Sequence, residues 1–166
     1  MRASSMPFTP GHPLLAFCAC AALMFTSLSA HATLGGNAAS VVKDQSALGA
    51  TVTTTARNGY TDYALSLPKS GVVHEFVNQA GRVFEITWSK RGSRPNMNQL
   101  LGDYATRFSG KKNGGAPTSR HADRVENDFE LHSKVVNRYF SGTAHIPGLI
   151  PVTLSGPVAL PVEAAK

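Results

Sequence analysis

Cysteine is scarce in this sequence and is confined to one short stretch. The 166 residues contain two cysteines, Cys18 and Cys20, and none follows them. The chain beyond residue 20 therefore has no disulfide, no thiol nucleophile and no thiolate metal ligand. Its fold has to rest on a hydrophobic core without covalent cross-links.

Several catalytic and cofactor-binding signatures are absent as well. The sequence has no G-x-G-x-x-G dinucleotide-binding pattern and no G-x-S-x-G nucleophile elbow. The stretch SGKKN (109–113) lacks the upstream glycine that a phosphate-binding loop requires. We therefore predict no cofactor, and no motif identifies a catalytic residue.

Acidic residues are missing before Asp44, and the chain begins like a secretory signal peptide. Arg2 precedes an apolar run over residues 14–28, LLAFCACAALMFTSL, and Ala30 and Ala32 fit the small-residue cleavage pattern. We predict cleavage after Ala32 and export to the periplasm or beyond. The alternative is an uncleaved anchor, but the apolar run is shorter than the ~20 residues that a membrane-spanning helix needs.

The two cysteines also raise the alternative of a lipid attachment site. Phe17 precedes Cys18, where that signal requires a small residue, and cutting before Cys20 leaves the apolar stub ALMFTSLSA. The simpler interpretation is that both cysteines belong to the signal peptide and leave with it.

Residues 33–166 have the size of one domain and a moderate positive charge. After removal of the signal peptide, 15 basic residues stand against 10 acidic ones. Export takes the chain away from nucleic acid, so we predict no nucleic-acid partner. The charge is compatible with plain solubility and with attraction to anionic lipid headgroups or acidic polysaccharide.

Three β-prone runs with two turns between them predict a meander. The runs are YTDYALSL (60–67), VVHEFVN (72–78) and RVFEITW (82–88). The turns PKSG and NQAG each end in glycine, and NQAG has the pattern of a type I turn followed by a glycine bulge.

These turns predict a register in which large apolar residues share one face of the sheet. Leu67 is expected opposite Val72, Val77 opposite Val83 and Phe76 opposite Phe84. The predicted apolar face contains Tyr63, Leu65, Leu67, Val72, Phe76, Phe84, Ile86 and Trp88.

The stretch HEFVN (74–78) is one residue away from the zinc-protease signature H-E-x-x-H. That signature needs two histidines on one helix face, whereas Asn78 stands at the last position and the segment is β-prone. We interpret the stretch as a strand in which His74 lies within the apolar face. Glu75 is expected on the other face, roughly opposite Glu85, where two like charges destabilise the sheet unless a cation compensates.

The remainder predicts one α+β domain over residues 33–146. A short helix is expected over 38–48, and an amphipathic helix over 97–108, with Asn96 as its N-cap, covers the apolar face. A hairpin over 127–146 brings the antiparallel sheet to about five strands. Residues 147–166 contain several prolines and predict an extended tail.

The order of motifs is similar to that of a known family. ATLGG at the start of the mature chain is followed by VVHEFVNQAGRVFEITW, then by QLLGDYATRF, and late in the chain by FSGTAHIPGLIP. This order resembles small exported bacterial proteins classified only as domain of unknown function 2844. The resemblance implies export and a shared fold, and it implies no activity, cofactor or catalytic residue.

Two function classes follow. The favoured hypothesis is a non-enzymatic envelope module that binds a protein, lipid or polysaccharide. The module is expected to bind through the exposed sheet face, the basic, glycine-rich loop 109–123 or the proline-rich tail 147–166. Its candidate binding residues are His74, Glu75, Glu85, Lys111, Lys112 and Arg120.

The alternative is a small hydrolase or metal-dependent enzyme that gathers histidines and acids in one place. Four histidines follow residue 32, at positions 74, 121, 132 and 145. Their spacing matches no known ligand pattern, although His121 and Asp123 could meet His132 or His145 in space. We predict no metal site from this spacing.

Overall fold

A single antiparallel sheet of seven strands organises the protein. The structure, a computed structural model, describes residues 34–109 and 121–158. The strand order is β1-β2-β3-β4-β7-β6-β5. The strands are β1 Thr51–Arg57, β2 Tyr60–Leu67, β3 Gly71–Asn78, β4 Val83–Arg91, β5 His121–Glu126, β6 Phe129–Val136 and β7 Tyr139–His145. The α+β class is confirmed, with seven strands where about five were predicted.

Two strands account for the difference in number. The Thr-rich run before the Asn-Gly turn forms β1, which pairs along its whole length with β2. β5 begins at His121, inside the segment predicted as a basic loop. The predicted hairpin forms as β6 and β7, with Asn137 and Arg138 in its turn. The basic loop residues 110–120 and the predicted signal peptide lie outside the described residues.

The predicted register was wrong at two places. Leu67 lies opposite Gly71 and not Val72, because the turn between β2 and β3 contains three residues, 68–70. Val77 lies opposite Val83 as predicted, but Phe76 lies opposite Glu85, because a bulge at Phe84 adds one residue to β4.

These shifts divide the predicted apolar face between the two sides of the sheet. The side that we call the helix face keeps the residues Tyr63, Leu65, Leu67, Ile86 and Trp88 and adds Val73 and Val77. The opposite side, called the polar face below, receives Val72, His74, Phe76 and Phe84. The rings of Phe76 and Phe84 are 6.2 Å apart, and Tyr60 packs edge-on against both.

Helical segments cover the helix face. They are α1 (Ala38–Leu48), α2 (Met97–Leu101) and α3 (Ala105–Ser109), and Asn96 caps α2 by accepting a hydrogen bond from the backbone N–H of Gln99. The predicted continuous helix over 97–108 was wrong, because Gly102 has a positive φ of 50° and a 3-10 turn follows. The predicted covering role is confirmed, since Leu100 and Leu101 are fully buried in the same core as Ile86 and Trp88.

The segment after β7 turns back onto the polar face. Pro147–Leu149 forms a 3-10 turn, and the side-chain amide of Asn78 donates to the carbonyl of Leu149 over 2.9 Å. Further on, the backbone N–H of Val158 donates to Glu85. The predicted domain boundary after residue 146 stays a prediction, but residues 147–158 are in contact with the sheet. Within the described ranges, none of the helices has the length and apolar character needed to cross a membrane.

Packing at Gly142 generates a stability prediction. A methyl group on Gly142 would lie 2.4 Å from Cζ2 of Trp88 and 2.4 Å from the backbone carbonyl oxygen of His132. Gly142→Ala is therefore expected to lower the free energy of unfolding by about 2 kcal/mol, the usual scale for overpacking. The matched control is Gly148→Ala, because a methyl group there meets no atom within 4 Å. Chemical denaturation measures both, and equal stability of the two variants would contradict the packing described here.

Candidate functional site

A buried carboxylate pair lies on the helix face. Glu75 on β3 and Asp44 on α1 are both fully buried and adjacent to each other, and the side-chain amide of Gln99 on α2 donates to Asp44. The described residues offer no N–H or O–H donor to either oxygen of Glu75. A hydrogen bond between two carboxyl groups requires a proton on one of them. The two carboxyl groups therefore lie where α1, α2 and β3 meet, and protonation of one of them would allow a hydrogen bond between them.

The environment of Glu75 favours its protonated form. Burial, followed by the charge of the neighbouring Asp44 and a hydrogen bond to it, raises the pKa of Glu75 to about 9. The side chain of Glu75 has no exposure to solvent. The predicted surface pairing of Glu75 with Glu85 was wrong, because Glu75 lies opposite Ile86 and the two glutamates project from opposite faces.

Histidine and carboxylate pairs characterise the polar face. His74 on β3 contacts Asp62 on β2, with 2.9 Å between Nδ1 and Oδ1. The same separation joins His132 on β6 to Asp123 on β5. In the register, Thr87 and Thr143 lie between His74 and His132 in one row across the sheet. Both pairs therefore project from the same side of the sheet.

A third pair lies in the neighbouring row. Nε2 of His145 on β7 is 3.3 Å from Oε2 of Glu130 on β6, and His145 lies opposite Glu85 on β4. Burial lowers the pKa of His145, Glu130 opposes that change, and His132 adds to it. Nδ1 of His145 is buried and finds no hydrogen-bond partner among the described residues. The ring is therefore neutral at neutral pH.

Glu85 is the polar-face carboxylate in contact with the returning segment. Burial raises the pKa of Glu85 to about 7, and the hydrogen bonds from Val158 and Thr143 oppose that rise. Oγ1 of Thr143 donates to Oε1 over 3.3 Å, while the backbone N–H of Val158 donates to Oε2. Glu85 thus accepts hydrogen bonds both from a side chain of the neighbouring strand and from a main-chain amide of the returning segment.

The structure brings together some of the predicted binding residues and separates others. His74 and Glu85 lie on the polar face, Glu75 lies on the helix face, and Lys111, Lys112 and Arg120 lie outside the described residues. In HEFVN, His74 pairs with Asp62 and not with its neighbour Glu75. Asp62, Glu130 and Asp44 were missed, because only the three-dimensional register brings them to their partners.

The residues considered as metal ligands can be compared with their positions in the structure. Asp123 does meet His132, one of the combinations considered from the sequence. Within residues 34–109 and 121–158, no group of three or more His, Cys, Asp and Glu side chains is arranged to hold a metal ion. The polar face therefore presents separate His–acid pairs.

The raised pKa of Glu75 predicts the pH dependence of stability. Because the folded state retains a proton that the unfolded state releases above about pH 4.5, Glu75 costs stability as the pH rises from there to about 9. The loss approaches about 1.4 kcal/mol per pH unit. Glu75→Gln keeps a donor for Asp44 and removes the titration, so it is expected to exceed the wild type at pH 8 by on the order of 4 kcal/mol and to match it near pH 5.

Denaturant unfolding between pH 5 and pH 9 measures this difference. The contribution of Glu85 is common to both proteins and cancels in the comparison. Glu126→Gln, a substitution of the same chemistry at a partly exposed position, is expected to leave the wild-type profile unchanged. A Glu75→Gln variant that follows the wild-type slope at lower stability would show that Glu75 is ionised in the folded protein.

Comparisons with known proteins place this arrangement in a family. The sequence profile of a family described as "Protein of unknown function (DUF2844)" matches residues 30–157. Searches among curated proteins and among solved structures found no match. The matched range spans the sheet, the helices and the segment that returns to the polar face. Because the match covers most of the chain, the protein belongs to the DUF2844 family of proteins of unknown function.

Proposed function

We propose that the protein is an exported, non-enzymatic binding module of the cell envelope that holds an extended polypeptide segment of a partner on its polar face. The observation that carries this proposal is that polar-face side chains already hold a main chain. Asn78 donates to the carbonyl of Leu149, and Glu85 accepts from the N–H of Val158. One side-chain donor and one side-chain acceptor thus form hydrogen bonds with the backbone of the same proline-containing segment.

An apolar floor lies between these two contacts. The rings of Tyr60, Phe76 and Phe84 form one cluster on β2, β3 and β4. The segment passes Gly59 at one side, where a methyl group would meet Thr153 at 2.2 Å, and reaches Glu85 on the other. Aromatic floors with a few backbone-directed polar groups are a recurrent way of binding extended, proline-containing peptides. A partner segment of this kind would replace residues 147–158.

The His–acid pairs support a fixed recognition surface. Each of His74, His132 and His145 is paired with a carboxylate on an adjacent strand. Such cross-strand pairs fix side-chain positions and contribute to pairing of the strands. They present oriented polar groups on the polar face.

The proposal that the protein is exported is based on its sequence. Residues 1–32 have a basic start, a short apolar centre and a small-residue exit, and no cysteine follows Cys20. We propose that cleavage after Ala32 releases the domain into the periplasm or beyond, where polypeptides of the envelope are its partners.

A general acid–base enzyme is the second candidate. The observation in its favour is that Glu85, with a pKa of about 7, lies opposite the neutral His145. A carboxyl group with this pKa suits proton transfer at neutral pH. Both side chains are buried, however, and Glu85 is engaged by Val158 and Thr143. These contacts favour binding over turnover.

Site-specific photo-crosslinking in the native envelope tests the proposed function. A photoreactive amino acid replaces Thr87, which is half-buried on the polar face between His74 and Thr143. It is expected to give a protease-sensitive adduct with a partner polypeptide. The control position is Val42 on α1, which is 63% exposed and lies away from the polar face.

A competing peptide tests whether the partner binds the surface that residues 147–158 contact. An excess of a peptide with the sequence of residues 147–158, PGLIPVTLSGPV, is expected to reduce the adduct at least several-fold, and a scrambled peptide is not. Equal labelling from Thr87 and Val42, or adducts with lipid or polysaccharide alone, would contradict a polypeptide partner on the polar face.

A further inference from the structure

The two edges of the sheet differ in how they meet solvent. β1 and β5 are the end strands of the sheet order. In the part of the chain that the structure describes, β1 pairs only with β2, and six of its seven residues are exposed. A row of unpaired backbone N–H and C=O groups on such a strand is a template for another strand.

The two edge strands differ in their number of charged side chains. Soluble proteins usually blunt an edge strand with charged residues, proline or a bulge. β5, HADRVE, carries three charged side chains, at Asp123, Arg124 and Glu126. β1, TVTTTAR, carries charge only at its last residue, contains no proline and pairs with β2 without a register shift. β1 is therefore the edge that is left open for pairing.

The hydrogen-bonding direction along β1 follows from its turn. Arg57 and Tyr60 flank the two-residue turn 58–59 and form the first pair of the hairpin. Hydrogen-bonded and non-hydrogen-bonded pairs then alternate along an antiparallel ladder. This alternation directs the backbone N–H and C=O groups of Val52, Thr54 and Ala56 away from β2 and toward the free edge.

The sequence of β1 is self-complementary about Thr54. When two copies run antiparallel with Thr54 opposite Thr54, Thr53 of one copy faces Thr55 of the second copy, and Val52 faces Ala56. Threonine thus meets threonine and an apolar residue meets an apolar residue, which are favourable cross-strand pairs. This register pairs the whole strand and matches all outward backbone groups, whereas a shift shortens the ladder.

We propose that β1 is a homodimerisation edge, which pairs antiparallel with β1 of a second copy of this chain about a two-fold axis at Thr54. The pairing makes one continuous sheet from two and leaves both polar faces accessible, so it goes beyond the proposed function and uses a different surface. An interface of one strand with about six main-chain hydrogen bonds is small by the standards of stable dimers. The dimer is therefore expected to dissociate reversibly at micromolar concentration.

Cysteine crosslinking tests the register on full-length mature chain. Thr53→Cys and Thr55→Cys are prepared separately, since no other cysteine follows residue 20. Their mixture is expected to form a disulfide heterodimer under mild oxidation, because the two Cα atoms would be ~4.5 Å apart, within disulfide range. Either variant alone is expected to crosslink at least tenfold more slowly. Val125→Cys, on β5 and 68% exposed, reports random collision.

Solution mass measured over a concentration series tests the dimer itself. The wild-type mass is expected to rise to twice that of the monomer. Thr54→Pro removes an outward N–H, and Thr54→Lys places two like charges at the two-fold axis, so either is expected to hold the protein monomeric with an unchanged circular dichroism spectrum. Val125→Lys is the matched substitution on the other edge and is expected to dimerise like the wild type.

Three results would each overturn the proposal. The first is a wild-type monomer at every concentration. The second is a Thr53→Cys and Thr55→Cys mixture that crosslinks no faster than Val125→Cys. The third is a folded Thr54→Lys variant that dimerises as strongly as the wild type.

Discussion

The position of β3 between β2 and β4 determines what each face of the sheet carries. Side chains alternate along a strand, so a shift of one residue in register exchanges the two faces. The three-residue turn before β3 and the bulge at Phe84 in β4 together set this register. They direct Glu75 under the helices and His74 toward the opposite side. The buried pair of Glu75 and Asp44 and the polar face are both consequences of this register.

Burial of Glu75 on the helix face lowers the stability of the fold at neutral pH. Burial disfavours the ionised carboxylate, and the charge of the adjacent Asp44 disfavours it further, so Glu75 retains its proton. Apolar residues of similar volume often stabilise a core better than buried ionisable groups do. The buried polar groups also constrain orientation, because the hydrogen bond from Gln99 to Asp44 connects α2 to α1 beside Glu75 of β3.

Most elements of the fold could be predicted from local sequence, and the register could not. The turn PKSG illustrates the reason, because the sequence predicts its glycine as the last residue of a tight turn. In the structure Lys69 and Ser70 adopt positive φ, whereas Gly71 begins β3, where a methyl group would meet the side chain of Lys90 at 2.9 Å. Glycine is required there for close approach of a neighbouring strand, which local sequence does not reveal.

The polar face shows the same limit for functional groups. His74 and Glu85 could be selected from the sequence as unusual residues in β-prone runs. Their surroundings could not, because Asp62 and Thr143 reach them only through pairing between strands. The interruption of the predicted helix at Gly102 has a similar origin, since Leu100, Leu101 and Ala105 remain buried in the core across the break. Tertiary packing overrides the helical period at that point.

The covers of the two faces differ in how firmly they are held. Leu100 and Leu101 on α2 are fully buried, whereas the apolar residues of the returning segment, Leu149, Ile150 and Leu154, are only half-buried. Local opening is easiest where few apolar groups are buried and where backbone hydrogen bonds do much of the holding. The segment over the polar face meets that description, with its backbone held by Asn78 and Glu85. Displacement of this segment is therefore expected to cost less free energy than opening of the core beneath the helices.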